Sequence, residues 1–180
     1  MNNTSEVYIS VDVETAGPVP GAYSLLTIGA CDAFETTQTF SCEIKPINDA
    51  AVPAALKVSG LSLQDLAKTG LEPNDAMAKF ANWIEAVAHG RTPVFVGFNA
   101  PFDWAFINHY FHQFHGGNPF GFSALDIKAL YMGATGCSWA ETRSSKVAER
   151  VSPTLEGNHN ALQDALYQAE LFRLTLGLIR

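Results

Sequence analysis

A chain of 180 residues with 47% hydrophobic content suits one domain with an ordinary core, and a domain of this size buries about 70% of the surface its unfolded chain exposes. Its formal net charge of −7 argues against a general polyanion binder, which carries excess Lys and Arg over its binding face. No apolar run approaches the roughly 20 residues of a membrane-spanning helix, and the N-terminal Met-Asn-Asn-Thr-Ser-Glu has neither basic head nor apolar signal core, so a cytoplasmic protein is expected.

In chain order, residues 7–13 read Val-Tyr-Ile-Ser-Val-Asp-Val, a β-branched run that predicts a buried strand. Residues 24–33 and 36–45 predict two further strands joined tightly around Glu35 and paired antiparallel. Residues 46–60 break the pattern before short helical pieces. Over 73–88 the apolar positions Met77, Phe80, Ala81, Ile84 and Val87 recur at helical spacing behind Pro73, which suits a first turn. A strand at 92–97 precedes a helix over 102–115 that stops at Gly116-Gly117. A short strand at 122–125 leads into a helix through Leu130, and a last helix spans 160–178 with Leu162, Leu166, Ala169 and Leu174 expected inward. Strands first, then alternating strand and helix, predict a single α/β domain over residues 1–180, three-layered around a mixed sheet. Cys31, Cys42 and Cys137 form no CxxC pair and read as reduced structural thiols.

The chemistry concentrates in acidic residues at element ends. Asp12 and Glu14 stand two apart on the first strand and so face one side of it. Like charges there resist burial unless a cation lies between them, so the pair reads either as a solvated strand end or as metal ligands. Asp103 opens the helix after the fourth strand, where a carboxylate also complements the helix dipole. His159 and Asp164 fall at the entrance to the last helix; a lone histidine is more often a surface residue than a catalyst. Taken together, four carboxylates from three segments match the hard oxygen donors that Mg²⁺ or Mn²⁺ prefers, and suit two-metal phosphoryl transfer with a histidine to take a proton from water. Bound ions would then supply the positive charge that the side chains lack.

Asp-Val-Glu-Thr at 12–15, Asn-Ala-Pro-Phe-Asp at 99–103 and His-Asn-Ala-Leu-Gln-Asp-Ala at 159–165 resemble the three motifs of the DEDDh-type 3′–5′ exonucleases, a family of ribonuclease H-like fold that includes ribonuclease T, oligoribonuclease and proofreading subunits. The likeness spans residues 7–176 and is strongest to ribonuclease T-like members. It implies that Asp12, Glu14, Asp103 and Asp164 are ligands of two Mg²⁺ or Mn²⁺ ions, with His159 as general base and single-stranded 3′ ends as substrate. It also implies base-gripping aromatics at Phe102 and Phe122, with Asn99 beside them, and a homodimer. Base–aromatic stacking contributes about 1–3 kcal/mol per base. Pro18 departs from the pattern, standing where a ribonuclease T-like enzyme has Phe, and Ile127 replaces the threonine that often follows the aspartate matched by Asp126. Asp126 is expected to cap the helix after it.

Other features read as structural. His109, His112 and His115 suit a last helical turn meeting the dipole better than a metal site. Arg143, Lys146 and Arg150 read as a solvated face, and Trp83, Trp104 and Trp139 as packing. Two competing functions stay open: a catalytically quiet nucleic-acid-binding or interaction module on the same fold, and a phosphodiesterase of very short oligonucleotides.

Overall fold

The alternation of apolar and polar side chains along the first strand sets the architecture. In the computed structural model, which describes residues 5–179, this strand is β1 (Glu6–Thr15). It is joined by β2 (Leu25–Asp32), β3 (Thr39–Glu43), β4 (Thr92–Gly97) and β5 (Ala124–Asp126) in the order β3-β2-β1-β4-β5. β1 and β3 run antiparallel to β2, whereas β4 and β5 run parallel to β1, so the sheet is mixed as expected.

Between β3 and β4 lie α1 (Pro53–Ser59), α2 (Leu63–Thr69) and α3 (Pro73–Ala88). Then α4 (Pro101–Phe114) follows β4, α5 (Ile127–Thr135) follows β5, and α6 (Ser144–Val151) and α7 (Ala161–Gly177) come last, with a 3-10 turn at Trp139–Thr142. Val7, Ile9, Val11 and Val13 point from β1 into a core shared with Met77, Phe80 and Ile84 of α3 and Phe106, Tyr110 and Phe111 of α4. Each such buried side chain contributes about 1.5–3 kcal/mol. The stripe predicted on α3 is buried throughout, and Phe80 stacks on Phe40 with ring centroids 4.9 Å apart.

The alternate residues of β1, Ser10 among them, face α7 on the opposite side of the sheet. Ser10 donates to the Ala165 carbonyl at 2.8 Å. This side has its own core, built from Val96, Ile127, Tyr131, Val147, Leu171 and Phe172. The result is three layers, helix–sheet–helix.

Three sequence expectations need correction. The strand placed at 36–45 shortens to Thr39–Glu43, because the turn before it is closed by Asp32, which accepts from the Phe34 and Glu35 N–H groups at 2.8 and 3.0 Å. The strand placed at 122–125 lies at Ala124–Asp126, leaving Phe122 93% exposed. On α7 the fully buried residues are Ala161, Ala165, Gln168, Ala169, Leu171, Phe172 and Thr175, so of the four expected inward Ala169 is fully covered, Leu166 packs partly buried against the core, and Leu162 and Leu174 are half-buried. At the entrance of the helix the approach is close: a Cβ built at Gly29 of β2 would lie 2.1 Å from the Ala161 carbonyl carbon, so helix and strand meet there backbone to backbone.

Candidate active site

That close approach determines where the acidic residues meet. Gly29 is the cross-strand partner of Asp12, and Thr27 that of Glu14. With no side chain at Gly29, the first turn of α7 settles over β2 beside the two carboxylates. The register slips between Glu14 and Thr15, a bulge of the kind that re-aims side chains at a strand end.

Asp103 arrives from the other direction. It stands in the first turn of α4, buried to 5% exposure, and accepts from the Val13 N–H at 3.1 Å. The turn that delivers it is strained: Asn99 has φ +64°, in the left-handed region. Asp126 holds that turn, accepting from Asn99 N–H at 2.9 Å and Ala100 N–H at 3.2 Å while it caps α5 at Lys128 and Ala129. The capping expectation is met, and the same carboxylate also braces the loop that leads to Asp103.

Asp164 comes from the first turn of α7, which Asn160 caps by accepting from Gln163 N–H. Its two oxygens accept from Asn158 N–H at 2.8 Å and His159 N–H at 3.0 Å. His159 itself has φ +61°, a conformation that costs a non-glycine residue about 1 kcal/mol or more, and Asp164 is what holds it there. Glu14, His159 and Asp164 each bring one donor atom to within 4.8 Å of the others.

The electrostatics bind the four carboxylates into one group. Burial, then the charges of Asp103, Asp164 and Glu14, push Asp12 well above the usual carboxylate range, against a lowering hydrogen bond from Gln168. Burial and then Asp164 raise Glu14 to about 7. Asp103 is raised by burial first, with Glu14 and Asp126 adding to it and the Val13 N–H opposing. A cluster that repels itself this strongly must either hold protons or neutralise itself with a cation. The hard carboxylate oxygens suit a divalent ion of the Mg²⁺ or Mn²⁺ kind, with the His159 imidazole within 4.8 Å of two of them.

Members of the cluster line two clefts. Asp12, His159 and Asp164 open into one with Ser144, Ser145 and Tyr167. Glu14 and His159 open into the other, with Ser59, Leu61 and Leu162. His159 lines both clefts.

Comparison with known proteins settles the family. A profile of the Rv2179c-like 3′-5′ exoribonuclease domain matches residues 7–176. The chain belongs to the Rv2179c-like family. It is 57% identical over 175 residues to the 3′-5′ DNA exonuclease Cap18 of Escherichia coli, covering 97% of this chain and 94% of that one. The nuclease domain of 3′hExo, a DEDDh family member solved with rAMP bound, superposes with TM-score 0.78 at 13% identity, over 98% of this chain and 94% of that one. E. coli Exonuclease I in complex with a dT13 oligonucleotide gives TM-score 0.70 at 18% identity, over 95% of this chain and 40% of that one. The Rv2179c-like chain thus has the ribonuclease H-like fold of the DEDDh exonucleases.

In this Rv2179c-like domain, Phe102 and Phe122 are not core residues. Phe102 is 37% exposed and leans on Phe106 at 5.4 Å between ring centroids, and Phe122 projects almost wholly into solvent. Asn99 is exposed on its strained turn. Trp139, expected to pack, is half exposed with the Lys128 ammonium 4.4 Å from its ring centroid, whereas Trp83 and Trp104 do pack against Phe80 and Phe95. His109, His112 and His115 form no grouping of metal-ligand kind among the described residues. Arg143, Lys146 and Arg150 are exposed, with Lys146 paired to Glu149 at 3.2 Å.

Sequence reading missed Gln168. Its amide nitrogen donates to Asp12 at 2.5 Å and its oxygen accepts from Phe98 N–H at 2.8 Å, tying β1, the end of β4 and α7 together at the site. The available signal was its position four after Asp164, on the same helix face. Ser144, Ser145 and Tyr167 carried no signal at all.

Proposed function

We propose that the chain is a metal-dependent 3′–5′ exonuclease, a single catalytic domain over residues 1–180 that releases nucleoside monophosphates from single-stranded nucleic-acid ends. The observation that carries this is the convergence of Asp12, Glu14, Asp103 and Asp164, with His159 beside Glu14 and Asp164.

In this reading the four carboxylates would hold two Mg²⁺ or Mn²⁺ ions. When bound, such ions polarise a phosphoryl oxygen and lower the pKa of water. The protein's own groups do the rest. His159 accepts the proton of the attacking water at a ring nitrogen, its backbone fixed by Asp164. Gln168 orients Asp12, and Asp126 steadies the turn that carries Asp103. The exposed rings of Phe102 and Phe122, with Asn99 on the turn before α4, receive the terminal bases by stacking, which favours no particular base.

The relative at 57% identity is named as a DNA exonuclease while the family is described as exoribonuclease, so single-stranded DNA is the first substrate to test and RNA the control. From the likeness to ribonuclease T-like members, in which one subunit adds nucleic-acid contacts to the other's site, we infer a homodimer; sedimentation showing only monomer at micromolar concentration would remove that inference. Cys31, Cys42 and Cys137 are unpaired, and burial pushes the Cys31 and Cys42 thiols up to about 12. Unreactive reduced thiols fit a cytoplasmic location, which recovery of the protein from an extracytoplasmic fraction would contradict.

The test of the reaction class uses topology. Linear single-stranded DNA with a 5′ label should shorten progressively from the far end, and circular single-stranded DNA of equal length should survive. Cleavage of the circle would show an endonuclease and overturn the proposal.

A further inference from the structure

We propose that Glu170 is a positioning residue for His159, fixing the stem of the segment that delivers the histidine to the carboxylate cluster. The inference rests on the role given to His159 above.

The segment between α6 and α7 has no regular structure, and most of its residues are exposed. It leaves α6 through Ser152 at φ +53° and reaches α7 through His159 at φ +61°. A stretch this exposed has little apolar burial to order it, so its geometry depends on hydrogen bonds. Two carboxylates of α7 provide them. Asp164 holds the far end through Asn158 and His159. Glu170 holds the stem: one oxygen accepts from the Thr154 N–H at 2.9 Å and the Thr154 hydroxyl at 2.8 Å, and the other accepts from the Leu155 N–H at 2.9 Å.

The two anchors stand six residues apart, about 9 Å along the helix axis at 1.5 Å per residue. The segment is therefore laid along α7 and pinned at two points rather than one. Both sets are charge-assisted, roughly twice as strong as neutral hydrogen bonds. Burial alone would raise the Glu170 pKa, but the Thr154 and Leu155 N–H groups, the Thr154 hydroxyl and the charge of Arg173 outweigh it, so the group stays ionised. Asp164 cannot serve as sole anchor without cost, because in the proposed reaction its oxygens are also wanted by the metal ions. Glu170 carries no such second duty, so it can hold the segment while Asp164 is engaged.

A general base acts only within hydrogen-bond reach of its proton, and a displacement of about 1 Å can cost on the order of 10²-fold in rate. Releasing Glu170 should thus lower turnover through His159 while leaving the carboxylates in place. Replacement by Gln keeps one acceptor but sets an NH₂ against a backbone N–H, so it should act in the same direction and more mildly.

The experiment is a double-mutant cycle on a short single-stranded oligonucleotide with saturating Mg²⁺. Glu170→Ala and Glu170→Gln are each made in the parent and in His159→Ala, and kcat and KM are measured separately. Glu170→Ala should lower kcat by about 10- to 100-fold with KM changed less than about threefold. In the His159→Ala background the same change should lower kcat by less than about twofold, because the group it positions is gone. Glu170→Gln carries the same comparison should the Ala variant fail to fold. Parental kcat in both Glu170 variants, or losses that multiply fully with that of His159→Ala, would overturn the inference and leave the histidine's role standing. If His159→Ala itself kept parental turnover, the base assignment would fall and this inference with it.

Discussion

Asp12 and His159 are asked for different things, and substitution separates them. His159→Ala removes a proton acceptor whose side chain is exposed, so fold and metal binding should persist while turnover drops by about 10²- to 10⁴-fold. Retention of a third or more of parental turnover at neutral pH would defeat the assignment. Asp12→Asn removes a charge from a half-buried group that repels three neighbours. The metal-free protein should therefore melt higher than the parent at pH 8, while metal affinity and activity are lost together, the inverse relation of stability and function expected at a strained site. The motif residues were legible in the sequence because each lies in a short, ordered pattern at an element end. Gln168 was not, since a glutamine inside a helix looks like solvent-facing polarity until Asp12 and the Phe98 N–H are seen on either side of it.

At the scale of the element, Gly29 shapes the entrance of α7. The apolar spacing points Leu162 inward, yet the helix meets β2 there through Ala161 and the backbone of Leu162. A sequence does not state the distance between two elements; here that distance is set by a missing side chain on the opposing strand. Gly29→Ala would drive a Cβ to 2.1 and 2.2 Å from the Ala161 carbonyl. The first turn of α7 must move, at a cost of about 1–3 kcal/mol for overpacking. Because Asp164 is in that turn, activity should fall more than stability alone explains, and a melting scan beside an activity assay on folded protein checks both. The α3 helix was read correctly for the opposite reason: its large apolar residues recur at 3.6-residue spacing and fill a core with ordinary clearances. The short β5 starts two residues later and ends one later than expected, because three residues of parallel pairing leave little periodic signal.

Across the whole molecule, the site makes the metal-free protein sensitive to alkali. Asp12, Glu14 and Asp103 all have raised pKa values in the folded state, Glu14 at about 7. A carboxyl raised in this way binds its proton more tightly when folded than when unfolded, so stability falls as pH rises from the unfolded value, about 4, toward the folded one. In chelator, the melting temperature should drop by about 3 °C or more between pH 5 and pH 8, a shift that needs only about 1 kcal/mol in a protein of this size. Mg²⁺ should restore it at pH 8 and do little at pH 5, where protons already occupy the carboxylates. A melting temperature independent of both would mean that the acids are not coupled as the geometry requires. The central claim, that these carboxylates make a metal-dependent exonuclease, is tested most directly by incubating end-labelled single-stranded DNA and RNA with Mg²⁺, Mn²⁺ or excess chelator and resolving the products by length. The predicted result is a ladder descending from the 3′ end to mononucleotides with either ion and intact strands in chelator; full degradation in chelator, or intact strands with both ions, would contradict it.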